Sequence, residues 1–246
     1  MQVTRIIPRR GVNDEGKGKK FALYQLISAA TTEYVWLTDD DVEVPPIAPE
    51  TDADLLILPL RMTGGDSLIE RLQIAEYAAL QEVTMVTAMR GQAVMCSGAN
   101  MIVRRERWLE SYRDLHPEIP SGDDMFLLES FRRRGLRIEC LDAPAYTATV
   151  TALTDWRALL RQRMRWAGKA PHYQDQIIRR YGMCVVAANL MQILFPPFIL
   201  IKFPVEYALI KKRDHSVSLW IALLLELIYP WYMLVCLIGG LFRREW

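Results

Sequence analysis

The sequence predicts an α/β domain with a mixed, mainly parallel sheet flanked by helices, followed by an apolar tail that enters a membrane. Three observations carry this. Short strand-like runs, Tyr34–Thr38 and Asp54–Leu60 among them, alternate with stretches of helical periodicity such as Lys19–Thr32 and Asp66–Met89. Residues 183–201 hold no charge, and residues 217–241 hold only Glu226. The whole chain of 246 residues is 51% hydrophobic with mean hydropathy +0.05, an average that hides these two unlike parts.

The elements follow in order. Thr4 to Pro8 reads as a short strand, and Gly11 to Gly18 as a polar, glycine-rich loop. Phe21, Leu23, Leu26 and Ile27 give Lys19–Thr32 an apolar helical face. Tyr34–Thr38 is β-branched and aromatic without alternation, as in a strand buried on both faces. Asp54–Leu60 is another strand, Asp66–Met89 a long amphipathic helix, and Cys96–Arg104 strand-like after a turn of small residues. Asp123–Arg134 is helical and stops at Gly135. Arg137–Leu141 is a short strand, and Asp155–Gly168 a basic helix with Thr154 as its cap.

The domain is expected to end near residue 182, with 183–246 embedded in the membrane. Phe195-Pro196-Pro197-Phe198 breaks the first apolar run, so 183–201 reads as a span or a re-entrant segment. Residues 202–213 read as an amphipathic helix on the membrane surface, and 217–241 as a full span. Glu226 in mid-span costs about 2–3 kcal/mol on insertion scales, which the leucines and isoleucines around it offset. Basic residues cluster at 179–180, 211–213 and 243–244, and two full spans cannot place all three clusters on the cytoplasmic side.

A net charge of +1 gives no field of the kind that gathers nucleic acid. Met1–Lys20 holds no apolar stretch of signal-peptide type. Cys96, Cys140, Cys184 and Cys236 lack metal-ligand spacing and read as reduced, buried residues. His116, His172 and His215 read as loop residues without partners.

The chemistry gathers at Asp39-Asp40-Asp41, directly after a buried strand. In open α/β sheets ligands bind beyond the carboxyl ends of the strands. Carboxylates this close stay ionised only beside a cation, and oxygen-only ligation suits Mg²⁺ or Mn²⁺, which also bind substrate phosphates. A solvated, Asp-capped loop is the plainer alternative. Asp123 and Asp124 read equally as an N-cap with first-turn charge or as an acid–base pair. Gln162 and Arg165, three apart, share a helix face beside Trp166. Arg157, Arg161, Arg163 and Lys169 on that helix suit anionic lipid.

These residues carry a resemblance. Gly18-Lys19-Lys20-Phe21-Ala22-Leu23, Asp39-Asp40-Asp41, Ser121-Gly122-Asp123-Asp124 and Gln162-Arg163-Met164-Arg165-Trp166 stand in the order of four motifs of membrane-attached family 2 glycosyltransferases: GK-x-x-AL, D-x-D, an acidic base motif and Q-x-x-R-W. The resemblance implies a GT-A-like, Rossmann-related fold and an inverting transfer of sugar from a UDP- or GDP-sugar donor. The acceptor would be a polysaccharide, a lipid or a lipid-linked sugar at the cytoplasmic face of the cell membrane. It makes Asp124 the base with Asp123 supporting, and Asp39 and Asp41 the ligands of Mg²⁺ or Mn²⁺. Lys19, Asp39, Asp40, Gln162, Arg165 and Trp166 fall to the donor and its diphosphate, and Gly98, Ala99, Asn100 and Trp166 to the acceptor side. Members of the family open with a strand ending in a Pro/Asn/Glu turn and a second strand carrying a base-reading Asp. Residues 1–18 hold room for one short strand, so the sequence reads as truncated, with the first sheet strand missing. Two other readings remain: an inactive relic or membrane interaction protein, and a metal-dependent phospho- or nucleotidyltransferase.

Overall fold

The computed structural model describes residues 2–9, 12, 15, 17–119 and 121–242. Part of the expected loop at 11–18, and the basic pair at 243–244, lie outside the described residues. In chain order the elements are β1 (Val3–Ile6), α1 (Lys19–Ala29), β2 (Tyr34–Leu37), β3 (Val42–Glu43), β4 (Leu55–Ile57), β5 (Leu60–Thr63), α2 (Leu68–Met89), β6 (Met101–Arg104), α3 (Arg105–Glu110), α4 (Asp123–Arg133), β7 (Ile138–Cys140), β8 (Ala148–Thr151), α5 (Trp156–Ala167), α6 (Gln176–Leu194), α7 (Ile199–Arg213) and α8 (Leu219–Phe242). They form two compact units, one of residues 1–60 and 84–150, the other of 61–83 and 151–245.

The first unit is built on a five-stranded sheet of order β1-β2-β6-β4-β7. β1 pairs parallel with β2 and β4 parallel with β7, while β6 runs antiparallel to β2 and to β4. All strands but β6 therefore point the same way, and the sheet is mixed and mainly parallel. Both faces of β2 are buried. Tyr34 and Trp36 pack on one side with Leu56, Leu58 and Ile102. Val35, Leu37, Met101 and Val103 are buried on the other. α1 buries Ala22, Leu23 and Ile27, and α4 buries Phe126, Leu127, Leu128 and Phe131.

Pro59 divides the single strand expected at 54–60 into β4 and β5. Having no N–H, it takes part in the fold through its carbonyl, which accepts from Ala148 N at 3.0 Å and from Asn100 Nδ2 at 2.8 Å. β3 and β8 pair antiparallel, Val42 with Val150; runs this short leave no periodic signal in sequence.

In the second unit, Leu72, Ala75 and Ala78 of α2 form one apolar cluster with Ile210, Val217, Ile221 and Ala222. The units part at 60/61, 83/84 and 150/151. Residues 61–83 and 151–182 group with the tail, and buried polar groups of α2 tie parts of this unit together. Gln73 donates to Leu153 O at 2.7 Å and accepts from Leu153 N at 3.1 Å. Glu82, 1% exposed, pairs with Lys212 at 2.5 Å and Arg213 at 2.7 Å. The one carboxylate of Glu82 thereby offsets one of the three positive charges at 211–213 within the protein, which a count of loop charges does not register. The cap of α5 is Asp155, whose Oδ2 accepts from Ala158 N at 2.7 Å; Thr154, the expected cap, lies one residue too early.

α6, of 19 residues and mean hydropathy 1.2, and α8, of 24 residues and 2.1, are long and apolar enough to cross a membrane. α6 ends at the expected Pro196-Pro197 break. The surface helix expected over 202–213 is part of α7. Trp220, Leu227, Trp231, Val235, Ile238 and Phe242 leave an exposed apolar stripe at helical spacing along α8. Glu226 faces the other way and is paired with Lys202 at 2.6 Å, so its charge is met by an ammonium and not merely offset by neighbouring leucines.

Candidate active site

In the first unit, three segments bring acidic side chains to one lysine. The β1–β2 ladder carries on past β2, with Thr38 N donating to Ile6 O at 3.1 Å, and the buried Thr38 hands the chain to Asp39. α1 begins at Lys19 directly after Gly18, whose φ of 89° is a conformation that favours glycine. Lys19 Nζ donates to Asp39 Oδ1 at 2.7 Å and lies 3.5 Å from Asp123 Oδ2. Burial opposes the charge on Lys19, but Asp123, Asp39 and Asp124 outweigh it and hold the ammonium above the ordinary lysine range.

Asp123 and Asp124 open α4 after Gly122, at φ 84°. The N-terminus of a helix favours negative charge, so two acidic side chains suit this position. Asp124 Oδ1 accepts from Met125 N at 2.7 Å, and Oδ2 from Gly98 N at 3.4 Å. Cys96 Sγ donates to Asp124 O at 3.1 Å, tying the 96–98 loop to the start of α4. A Cβ on Gly98 would lie 3.1 Å from Asp123 Oδ2 and 3.5 Å from Lys19 Nζ, so a glycine is what lets this loop approach the charged cluster.

Lys19, Asp39, Gly98, Asp123 and Asp124 are thus together. Asp40 and Asp41 are exposed beyond the end of β2. Gly98, Ala99 and Asn100 are all buried. Asn100 accepts from Trp36 Nε1 at 2.9 Å and donates to Pro59 O at 2.8 Å and Tyr146 O at 3.0 Å. Both ends of its amide are thus engaged within the protein, with Trp36, Pro59 and Tyr146. Lys20, beside Lys19, turns inward to the carbonyls of Leu115 at 2.5 Å and His116 at 2.9 Å. His116 is not without a partner, as its Nδ1 lies 3.0 Å from Glu118. Cys96, Cys140, Cys184 and Cys236 form no disulfide; Cys96 and Cys236 are buried as expected, whereas Cys140 is half-buried and Cys184 exposed.

Among the described residues no group of three His, Cys, Asp or Glu side chains stands ready to hold a metal unaided. Mg²⁺ and Mn²⁺ need less, since they commonly bind through one or two carboxylates with substrate phosphates and water supplying the rest. The half-buried Asp39 and exposed Asp41 fit that donor set.

Gln162, Arg165 and Trp166 lie on α5, in the second unit. Arg165 and Trp166 are exposed and Gln162 is half-buried. Arg163 is only 5% exposed and bound to Glu76 at 2.7 Å, and Lys169 is 7% exposed. Neither can reach lipid headgroups, which corrects the expected basic face to Arg157 and Arg161 with Arg165. Sequence reasoning passed over Glu76 because it is one acidic residue among several on an amphipathic helix.

A family model described as glycosyltransferase like family 2 matches residues 1–169. The chain belongs to this family. The match runs from β1 through α5, so in this family 2 chain it takes in both the Lys19 cluster and the Gln162–Trp166 motif. Comparison with curated proteins gives no match. Among solved structures, one described as "Crystal Structure of a Mycobacterial Protein" is similar at 19% identity over 61% of this chain, with a TM-score of 0.30. The family 2 chain spans 50% of the length of that protein.

Proposed function

We propose that the chain is an inverting glycosyltransferase, moving a sugar from a UDP- or GDP-sugar to a polysaccharide, lipid or lipid-linked acceptor at the cytoplasmic face of the cell membrane. The observation that carries the reading is the convergence of Asp39, Asp123 and Asp124 on Lys19 at the carboxyl end of β2, in a family 2 domain. In this reading Asp39 and Asp41 would hold Mg²⁺ or Mn²⁺, which when bound neutralises the diphosphate that must leave. Lys19 adds a positive charge on the same side and meets the diphosphate, while Asp40 touches the nucleotide. Asp124 takes the proton of the acceptor hydroxyl as it attacks the anomeric carbon. Asp123, through Lys19, keeps that ammonium beside the base. Gln162, Arg165 and Trp166 are assigned to the diphosphate and the acceptor by their motif alone. The two helices of spanning length support membrane attachment.

Calorimetric titration of the full chain with UDP, GDP and Mn²⁺, singly and together, tests the reading. A nucleotide that binds more tightly with the ion than without it is the expected result. Failure of both nucleotides to bind, with or without Mn²⁺, would overturn it.

A further inference from the structure

We infer that Arg163 and Glu76 are positioning residues for the Gln162–Trp166 motif: one buried guanidinium, clamped by α2, sets the orientation of both motif side chains. The inference rests on the reading that Gln162 and Trp166 serve glycosyl transfer. Arg163 is 5% and Glu76 7% exposed. The guanidinium meets the carboxylate twice, Nη2 to Oε2 at 2.7 Å and Nε to Oε2 at 3.2 Å, with a further contact from Nε to Oε1 at 3.3 Å. That leaves Nη1, which donates to Oε1 of Gln162 at 2.5 Å. The Cζ of the same guanidinium lies over the Trp166 ring, 4.2 Å from its centroid.

Each contact fixes a degree of freedom. Because Gln162 Oε1 accepts from Arg163, the amide presents its NH₂ end, a donor suited to phosphate or hydroxyl oxygen. Stacking on the guanidinium restrains the half-exposed indole of Trp166. Gln162 and Trp166 are four residues apart on one helix face, and Arg163 stands between them on the buried side. A buried ion pair is weak as a source of stability, because desolvation offsets much of the attraction. As a planar fork, however, arginine can hold a carboxylate, an amide and a ring at once. Lysine keeps the charge and loses the fork.

The test uses the full chain in detergent. Release of UDP or GDP is followed from UDP-glucose, UDP-N-acetylglucosamine and GDP-mannose, and the donor that the wild type turns over fastest is used for every variant. Arg163→Lys is measured alone and in a Gln162→Ala/Trp166→Phe background. Turnover of Arg163→Lys should fall about 10- to 100-fold, with a much smaller change in donor KM. In the double-variant background the same substitution should have no further effect, since nothing is left to position. Should Arg163→Lys fail to accumulate, Glu76→Asp reads the same point, keeping both charges and withdrawing the carboxylate by one methylene. An equal fold-loss in both backgrounds would show a merely structural pair and overturn the inference, as would wild-type turnover in the single variant. No turnover by the wild type with any donor would overturn the reading of the site, and this inference with it.

Discussion

Lys202 of α7 reaches Glu226 of α8 at 2.6 Å, and both side chains are more than nine-tenths buried in the apolar tail. Gln192 of α6 donates to the Glu226 carbonyl at 3.0 Å, so three helices meet at one polar point. Removing Glu226 leaves the buried Lys202 with only the half-buried Glu206, 3.9 Å away, to meet its charge; breaking a buried pair costs about 3–5 kcal/mol, whereas replacing both partners by apolar residues is often neutral or stabilising. Glu226→Leu should therefore lower the melting temperature in detergent sharply. The double variant Lys202→Leu/Glu226→Leu should recover most of the loss. A double variant as unstable as the single one would show that the pair is not the source of the effect.

Asp124 and Asp41 should separate in kinetics. Asp124 stands beside Lys19 at the start of α4, while Asp41 is exposed past β2. Asp124→Asn keeps the shape and removes the carboxylate proposed as the base. Turnover should fall about 10²–10⁴-fold with nucleotide affinity nearly unchanged. Asp41→Ala should weaken nucleotide binding and its dependence on Mn²⁺ together. Equal loss of nucleotide affinity in the two variants would contradict the division of roles.

What the sequence made legible was local. The buried run Tyr34–Leu37 showed itself by composition, and the carboxylates after it by their place at the strand's end. Gly18 and Gly122 stand just before two helices whose periodicity was plain. Partnerships across the fold were not legible. Lys19 was assigned to phosphate, but nothing in its neighbourhood announced Asp39 as its partner. Glu76 with Arg163 and Glu82 with Arg213 join residues 87 and 131 positions apart. Read one dimension at a time, Arg163 was a surface cation and Glu226 a lone charge in a span. Only packing of helix on helix turned each into half of a pair.

Acid should loosen the far end of α4. Arg134 and then Arg107 hold Glu110 below its ordinary value. Burial opposes ionisation of Asp114, but hydrogen bonds from Ser130 and Arg133 prevail and lower it. A depressed carboxylate contributes stability that is present above its unfolded pKa and lost as pH falls through its folded one. The contribution should thus be constant at neutral pH and disappear below about pH 4. Hydrogen exchange of residues 130–135 should accelerate there in the wild type. Glu110→Gln/Asp114→Asn should show the faster exchange already at pH 7, with little added by acid.

Neighbouring glycines of α8 should tolerate alanine very differently. A Cβ on Gly239 would meet the far end of the Met164 side chain, 2.7 Å from Cε, and methionine can swing away. A Cβ on Gly240 would meet backbone, 2.7 Å from Gly168 N and 2.8 Å from Met164 O, and backbone cannot yield without moving α5. Gly240→Ala should cost about 1–3 kcal/mol as an overpacked contact, and Gly239→Ala markedly less. Because α5 carries Gln162 and Trp166, Gly240→Ala should also depress turnover beyond its effect on folding. Similar melting temperatures for the two variants would mean that α8 does not pack on α5 this closely.

The last expectation concerns attachment. The outer stripe of α8, from Trp220 to Phe242, and the exposed Leu194, Leu200, Ile201 and Val205 are apolar, while the exposed cations of α5 are Arg157, Arg161 and Arg165. Burial of apolar surface does not depend on ionic strength, whereas attraction of exposed arginines to anionic headgroups is screened within about 8–10 Å at physiological salt. The full chain should therefore stay with membranes through a wash in 1 M NaCl and leave only with detergent. Changing Arg157, Arg161 and Arg165 together to glutamine should leave that retention intact, because the stripe remains. Replacing Trp220, Leu227, Trp231 and Ile238 by serine should make retention salt-sensitive, since the arginines alone would then hold the chain. Release of the unaltered chain by salt would show that the apolar tail is not inserted.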